Sequence, residues 1–423
     1  MAQTTSRDAA RTRLGVAGAA VTVATVVTNA LAYVVPMLGA RRLSAADLGA
    51  LATVLALAAI AAVPGFGLQI AVAAHRAREG AGDTGRLGLR TAALTAGVTL
   101  AAAPVLTVAL RLPLTLTLLL AATTFATVLS GRWLGELQGD QRFLRLAMAM
   151  VVVAVGRYGG LVVGLSLGRG PETSLLLTTL TGLLALPLLA RLANSPGHPR
   201  TGDQAAPGPG AVDRAETPAA GSPLGARQVM TACGATLAML TISYADLILA
   251  RQLLPAAASG AYAVGAVLTK GALWAPQVVT LLVLPRLAQG DRRARLVALA
   301  LILACGTVLV VSSAVGGELA FRLVGGADYL HLAGTAPMFA AVGALYAVVF
   351  MLVNDRVATA ARWPAAPLWL ATAGLAAGAV MIAPRTVAGV LTCSVLAAAL
   401  AAVVMGGLVF GRGADPRNKP PSP

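Results

Sequence analysis

The chain has 423 residues, 57% hydrophobic and only 11% charged, with a mean hydropathy of +0.80. That balance excludes a soluble globular domain and a disordered chain, and it points to a helical protein that crosses a membrane many times. The net charge of +16 would suggest a nucleic-acid partner in a soluble protein. Here the arginines fall between apolar runs rather than along one face, so they report membrane topology and no nucleic acid.

Residues 1–13 form a basic tail, and the run 14–38 that follows has the charge-then-apolar order of a signal peptide. Its spanning length predicts an uncleaved first helix instead. Further spans are predicted over 47–73, 87–110, 112–130, 143–168 and 173–192, then over 229–253, 259–287, 295–315, 332–353, 366–384 and 386–410. Backbone groups cannot stay unpaired in lipid, so each run must be a helix, broken only where it lines a cavity. Pro64, Gly65, Gly67, Pro104, Pro187 and Pro276 are candidate bends.

Residues 193–228 differ from everything around them, being rich in Pro, Gly and small polar residues, and read as a flexible linker. The linker separates a bundle of six spans over 14–192 from a second over 229–410, and residues 411–423 form a closing tail. A shift of 211 residues lays Tyr33 on Tyr244, Leu43 on Leu254, Gly49 on Gly260 and Ala52 on Ala263, with Arg76 close to Arg286. Two six-helix halves that each enter from the same side are parallel repeats, which place a substrate site at the interface between them.

Of the 32 Lys and Arg residues, only Arg41, Arg42, Arg111, Arg169, Arg251, Arg322 and Arg385 fall in segments on one side. Arg157 and Lys270 lie within spans, and all the others fall on the side of the two chain ends. The positive-inside rule therefore predicts cytoplasmic amino and carboxyl termini.

Catalytic patterns are missing. Cys233, Cys305 and Cys393 all sit in apolar runs and suit neither a disulfide framework nor a metal site. His75, His198 and His331 show no ligand spacing, and there is no Gly-rich phosphate loop followed by Lys-Ser/Thr. The expectation is a protein that is not an enzyme, needs no cofactor or metal, and has no ATP engine of its own.

Ionisable groups deep in lipid are costly and usually line an interior path. Arg157 lies 14 positions into its predicted span, about 21 Å along it, and Lys270 is about 16 Å below the outer end of its own. Asp246, roughly 10 Å down the preceding span, is placed to pair with Lys270, which leaves Arg157 as a free cation; one structural ion cluster of all three is the competing reading. Arg251 is expected to snorkel to the outer surface. Thr22, Thr25, Thr28, Asn29 and Tyr33 give the first span a polar stripe, and Gln69 lies beside Gly65 and Gly67. Such groups can hydrogen-bond sugars or glue helices together. Arg76, Arg132, Arg142 and Arg286, at the cytoplasmic ends, suit anionic headgroups or a lipid-linked phosphate, although the topology rule alone would also place arginines there.

The stretch DLILARQLLPAAASGAYAVGAVLTKGALWAPQVVTLLVLPRLA, from Asp246, resembles the seventh and eighth spans of polysaccharide-type flippases of the MATE/MOP superfamily. LGARRLSAADLGALATVLAL resembles their first loop and second helix, GELQGDQRFLRLAMAMVVVAVGRYGGLVVGL their fourth loop and fifth span, and FRLVGGADYLHLAGTAPMFA their ninth loop and tenth span. The resemblance covers nearly the whole chain. It implies an all-α fold of twelve transmembrane helices in two six-helix bundles related by a pseudo-two-fold axis, around a V-shaped cavity open to each side in turn. It implies a flippase of the bacterial plasma membrane that moves a lipid-linked oligosaccharide, carried on a polyprenyl diphosphate, to the outer leaflet for cell-surface polysaccharide assembly. Arg157 and Lys270 would then face the anionic headgroup. Membrane lipids, a polysaccharide polymerase and glycosyltransferases are the implied partners, and a monomer the default state. A multidrug or cation antiporter and a non-transporting scaffold of a synthase complex are the competing functions.

Overall fold

The computed structural model describes residues 2–79, 84–195, 226–274, 276, 292–359, 361 and 363–411. Among these the regular structure is entirely helical. The first half contains α1 (Ala2–Arg42), α2 (Ala45–Ala61), α3 (Val63–Glu79), α4 (Gly85–Leu110), α5 (Leu114–Gly139), α6 (Phe143–Ser166) and α7 (Pro171–Asn194). The second contains α8 (Ala226–Leu253), α9 (Ala256–Trp274), α10 (Arg292–Val315), a short α11 (Gly317–Val324), a 3₁₀ helix (Ala327–Thr335), α12 (Ala336–Ala358), α13 (Ala366–Met381) and α14 (Val387–Phe410).

Ten described segments are long and apolar enough to cross a membrane, and Ala366–Met381 is a shorter apolar helix. With α9 they match the twelve predicted spans, and the chain is a multi-pass membrane protein. The part of the eighth span beyond α9, and most of the predicted linker, lie outside the described residues; Asn194 ends α7 and Ala226 begins α8.

The second span is two helices, α2 and α3, joined at Ala62. Pro64 explains the break, because a proline near a helix start cannot donate to the preceding turn. Pro104 and Pro187 instead lie within the continuous helices α4 and α7. The predicted outer loop after α10 is partly helical, as α11 and the 3₁₀ turn.

Within the first half, α1 packs on α6, α3 and α4 on α5, and α5 and α6 on α7. Two glycine ladders make this packing close. Gly131, Gly135 and Gly139 on α5 face the α3 backbone, where an added Cβ would come within 2.3 Å of the Gly65 carbonyl and 2.5 Å of that of Gln69. Gly156, Gly160 and Gly164 serve α6 against α7 in the same way. In lipid there is little hydrophobic drive between helices, so small residues that admit close backbones hold bundles together. In the second half α12 is the central helix, packed by α9, α10 and α14, and its Phe339 meets Tyr262 edge-to-face at 5.2 Å.

The halves meet where α2 packs on α8 and α9, and α3 on α8. The α2–α9 crossing is tight: a Cβ on Gly260 would lie 1.7 Å from the Ala45 carbonyl oxygen, and one on Gly49 would lie 2.9 Å from the Gly260 nitrogen. Gly49 and Gly260 are the equivalent positions of the internal repeat, so this contact lies on the pseudo-two-fold axis. The loops before α2 and α9 therefore share one face, called here the far face.

Arg251 corrects an expectation. It is buried rather than snorkelling, and donates from Nε to the Leu110 carbonyl at 3.1 Å, from Nη2 to that of Arg111 at 2.9 Å, and from Nη1 to that of Ala46 at 3.3 Å. Leu110 and Arg111 carry the last carbonyls of α4, which no helical N–H reaches. A guanidinium from α8 thus caps the negative end of α4 across the two halves.

Candidate central cavity

Below the α2–α9 crossing lies a cavity of about 330 Å³ lined by α1, α2, α3, α6, α8 and α9. Its α9 wall runs from Ala263 to Trp274, about 5 to 21 Å along the helix from Gly260 toward the opposite, near face. Both halves of the chain contribute, so any motion of one against the other reshapes it.

Arg157 and Lys270 both line this cavity, and among the described residues no Asp or Glu does. The glycine ladder of α6 turns Gly156, Gly160 and Gly164 toward α7. Arg157 and Tyr158 come about 100° and 200° further round the helix and reach the cavity instead. Among the described residues Arg157 has no hydrogen bond or ion pair; its guanidinium carbon lies 5.5 Å from the Tyr158 ring centroid. It also borders a small cavity of about 30 Å³ inside the first half, beside Thr123, Thr127, Ser130 and Thr178.

Lys270 is anchored to α8. Its Nζ donates to the Ser243 carbonyl at 2.5 Å and to the Ser243 hydroxyl at 3.1 Å, and it sits 3.4 Å from the centroid of the Tyr244 ring. Tyr33 donates its hydroxyl to the Lys270 carbonyl at 3.0 Å, linking α1 to α9.

The expected Asp246–Lys270 ion pair does not form: no such contact falls within 4.0 Å. Asp246 lies in the second-half core behind the cavity wall. Its carboxylate accepts from the Tyr262 hydroxyl at 2.9 Å and from the Leu247 amide at 2.8 Å, and Lys270 acts on it electrostatically without direct contact. One α-helical turn separates Ser243 from Asp246, and the lysine takes the nearer acceptor.

The other predicted residues divide. Asn29 and Tyr33 line the cavity with Arg157 and Lys270. Thr25 donates back to the Val21 carbonyl of its own helix at 2.9 Å, the usual local bond of a helical threonine. Gln69 donates to the Gln138 side chain at 2.9 Å, at the α3–α5 contact.

Near the other end of α5, Arg132 pairs with buried Glu136 at 2.9 Å, and Glu136 also accepts from the Thr84 hydroxyl. Arg76 lies 3.7 Å from Glu136 and 4.0 Å from Asp140. Arg142 lies 3.7 Å from Asp140 and donates to the Ala193 and Ser195 carbonyls. These three arginines tie α3, α5 and α7 together. The second half repeats the device with Arg295 on Asp355 at 2.9 Å. Arg286 lies outside the described residues.

Phe66, Tyr158, Tyr244 and Trp274 are cavity residues that the search for charged and amide groups passed over. The repeat held a signal for one: Tyr244 is the equivalent of Tyr33, and both line the cavity.

No protein-family model matches the chain, and no curated protein matches it in sequence. Solved structures do match in fold. The lipid II flippase MurJ in an inward closed conformation has a TM-score of 0.63 at 10% identity, over 92% of this chain and 87% of that one. An inward-facing multidrug resistance MATE family transporter of the MOP superfamily has 0.60 at 14%, over 91% and 95%. The eukaryotic MATE transporter AtDTX14 has 0.59 at 13%, over 93% of each chain. The chain thus has the two-lobed, twelve-helix fold of MOP-superfamily proteins.

Proposed function

We propose that the protein is a flippase that moves a lipid-linked oligosaccharide, carried on a polyprenyl diphosphate, from the inner to the outer leaflet. The observation that carries this reading is the pair Arg157 and Lys270 in a cavity where the described lining residues include no carboxylate. A cationic drug there would meet like charge, which costs about 3 kcal/mol per pair at 5 Å and an effective dielectric near 20. A diphosphate would gain from both cations and would give Arg157 a partner where the described residues supply none. The fold, shared with a lipid II flippase and with multidrug transporters, supports movement by alternating access about the cavity.

On this reading the near face is cytoplasmic, both chain ends lie there, and the membrane is the bacterial plasma membrane. The α2–α9 crossing and the Arg251 cap close the outer end while the headgroup loads. The protein makes and breaks no covalent bond, needs no cofactor, acts as a monomer, and serves polysaccharide assembly beside glycosyltransferases and a polymerase.

The test is the leaflet distribution of lipid-linked glycans after depletion of the protein. Accumulation on the cytoplasmic leaflet, reversed by wild type and not by Arg157→Ala, is the expected result. Unchanged lipid-linked glycans together with altered sensitivity to cationic compounds would replace the flippase with an antiporter.

A further inference from the structure

Aromatic residues are scarce in this chain, 4% of the sequence, with 7 Phe, 6 Tyr and 4 Trp. Of these seventeen, five (Tyr33, Phe66, Tyr158, Tyr244 and Trp274) are among the twenty residues lining the central cavity. At the chain's average, a lining of that size would hold about one.

Packing accounts for only part of the cluster, since Tyr158 and Tyr244 also rest against core residues and Tyr33, Phe66 and Trp274 join no core cluster. Several core rings are buried and paired, as in Tyr262–Phe339, Phe321–Phe339 and Tyr346–Phe350. The five cavity rings form no such pair among the described residues. Phe66 is 49% exposed and Trp274 is 40% exposed. Lys270 covers one face of Tyr244, whereas the bond from Tyr33 to the Lys270 carbonyl fixes the Tyr33 ring in place.

We propose that Tyr33, Tyr158 and Trp274 form a stacking platform for pyranose rings, so that the cavity reads a saccharide as well as an anion. This rests on the reading of Arg157 and Lys270 as the anion site. The face of an aromatic ring carries partial negative charge and meets the weakly positive C–H face of a sugar, while the hydroxyl edge is left for polar groups. Asn29 supplies such a group beside Tyr33. Tyr158 adjoins Arg157 in sequence and in space, so a sugar stacked on it lies next to a phosphate held by the guanidinium. Rigid aromatic side chains have few torsions to freeze, so they bind at little entropic cost. An aromatic cage also suits organic cations, but two fixed cations in the same lining oppose that use.

The experiment uses the purified full-length protein and three probes: a short-chain polyprenyl diphosphate and its glucosyl and galactosyl derivatives. At least one sugar-bearing probe should bind wild type about tenfold more tightly than the bare diphosphate, the scale of one aromatic stack. Tyr158→Leu and Trp274→Leu should each bring the ratio of sugar-bearing to bare-probe affinity close to one. Tyr158→Phe, which keeps the ring, should retain the difference and shows that the site tolerates change at this position. Equal binding of all three probes to wild type would overturn the platform, as would a preference that survives both leucine variants. Failure of the anion reading looks different: no probe binds, or Arg157→Ala leaves the bare diphosphate unchanged, and the platform falls with it.

Discussion

Arg157 and Arg251 are two guanidinium groups set in apolar helices, and the protein treats them in opposite ways. Arg251 is 7% exposed and spends its donors on three backbone carbonyls at the far-face junction of the halves. Arg157 stands half-buried in a cavity, with no hydrogen bond or ion pair among the described residues. An intramembrane charge must be paired or hydrated. The first is satisfied by the fold, and the second finds no hydrogen-bond or ion-pair partner among the described residues. On the proposed reading, the satisfied cation is structural and the open one belongs to the site.

The contrast can be broken by separating transport from stability. Arg157→Ala should have the largest effect on transport, slowing lipid movement in reconstituted vesicles by roughly 30-fold or more, as loss of one member of a close charge contact costs about 2–5 kcal/mol. Its melting temperature should stay at the wild-type value; a fall in stability instead would make Arg157 structural.

Gly260→Val should have the largest effect on stability. The new side chain overlaps the Ala45 carbonyl, and the backbones must part at a cost of about 3 kcal/mol. Thermal unfolding should show it, and Gly49→Ala should show less, because its Cβ overlaps the Gly260 nitrogen more mildly, at 2.9 Å. Equal, negligible shifts would mean that the crossing bears no load.

Next comes Arg251→Met, which leaves the end carbonyls of α4 without a donor. Roughly 2 kcal/mol of stability should be lost, while the transport rate per folded molecule stays close to wild type. Loss of transport at full stability would merge the two arginines into one class and sink the distinction.

Asp246→Asn should do least. The amide oxygen still accepts from the Leu247 N–H, and the amide NH2 can donate to the Tyr262 hydroxyl in place of the bond it gave, so about 1 kcal/mol or less is at stake, and lipid movement should persist. A large transport defect in this variant would return Asp246 to the site as a partner of Lys270.

Much of this architecture was legible in the chain. Span length and the ban on unpaired backbone in lipid set the helices. The Pro- and Gly-rich stretch marked the division into six and six. The repeat predicted an interface, and two of its matched pairs meet or face each other there: Gly49 with Gly260, and Tyr33 with Tyr244. The glycine ladders of α5 and α6 were also present in the sequence at a spacing of four, although nothing in the sequence alone said which helix each would receive.

The site was only partly legible. Depth along a span placed Arg157 and Lys270 deep in the bilayer, but depth says nothing of direction. Thr25 and Gln69 sit on the same helices as cavity residues and spend their donors elsewhere, one on its own backbone and the other on Gln138.

What the sequence determined by itself is therefore the membrane class, the helix register and the presence of charges that lipid would not tolerate unpaired. Those follow from local chemistry: apolar length, charge asymmetry and spacing along one chain. Only the tertiary structure decided which charge is answered and which is left open. The acceptors of Arg251 on α4 lie 141 and 140 residues away, Tyr33 reaches across 237 residues to Lys270, and Lys270 turns to Ser243 rather than to Asp246. Hydrogen bonds are short and directional, so the partners of a buried group are fixed by helices that meet only after the chain has folded.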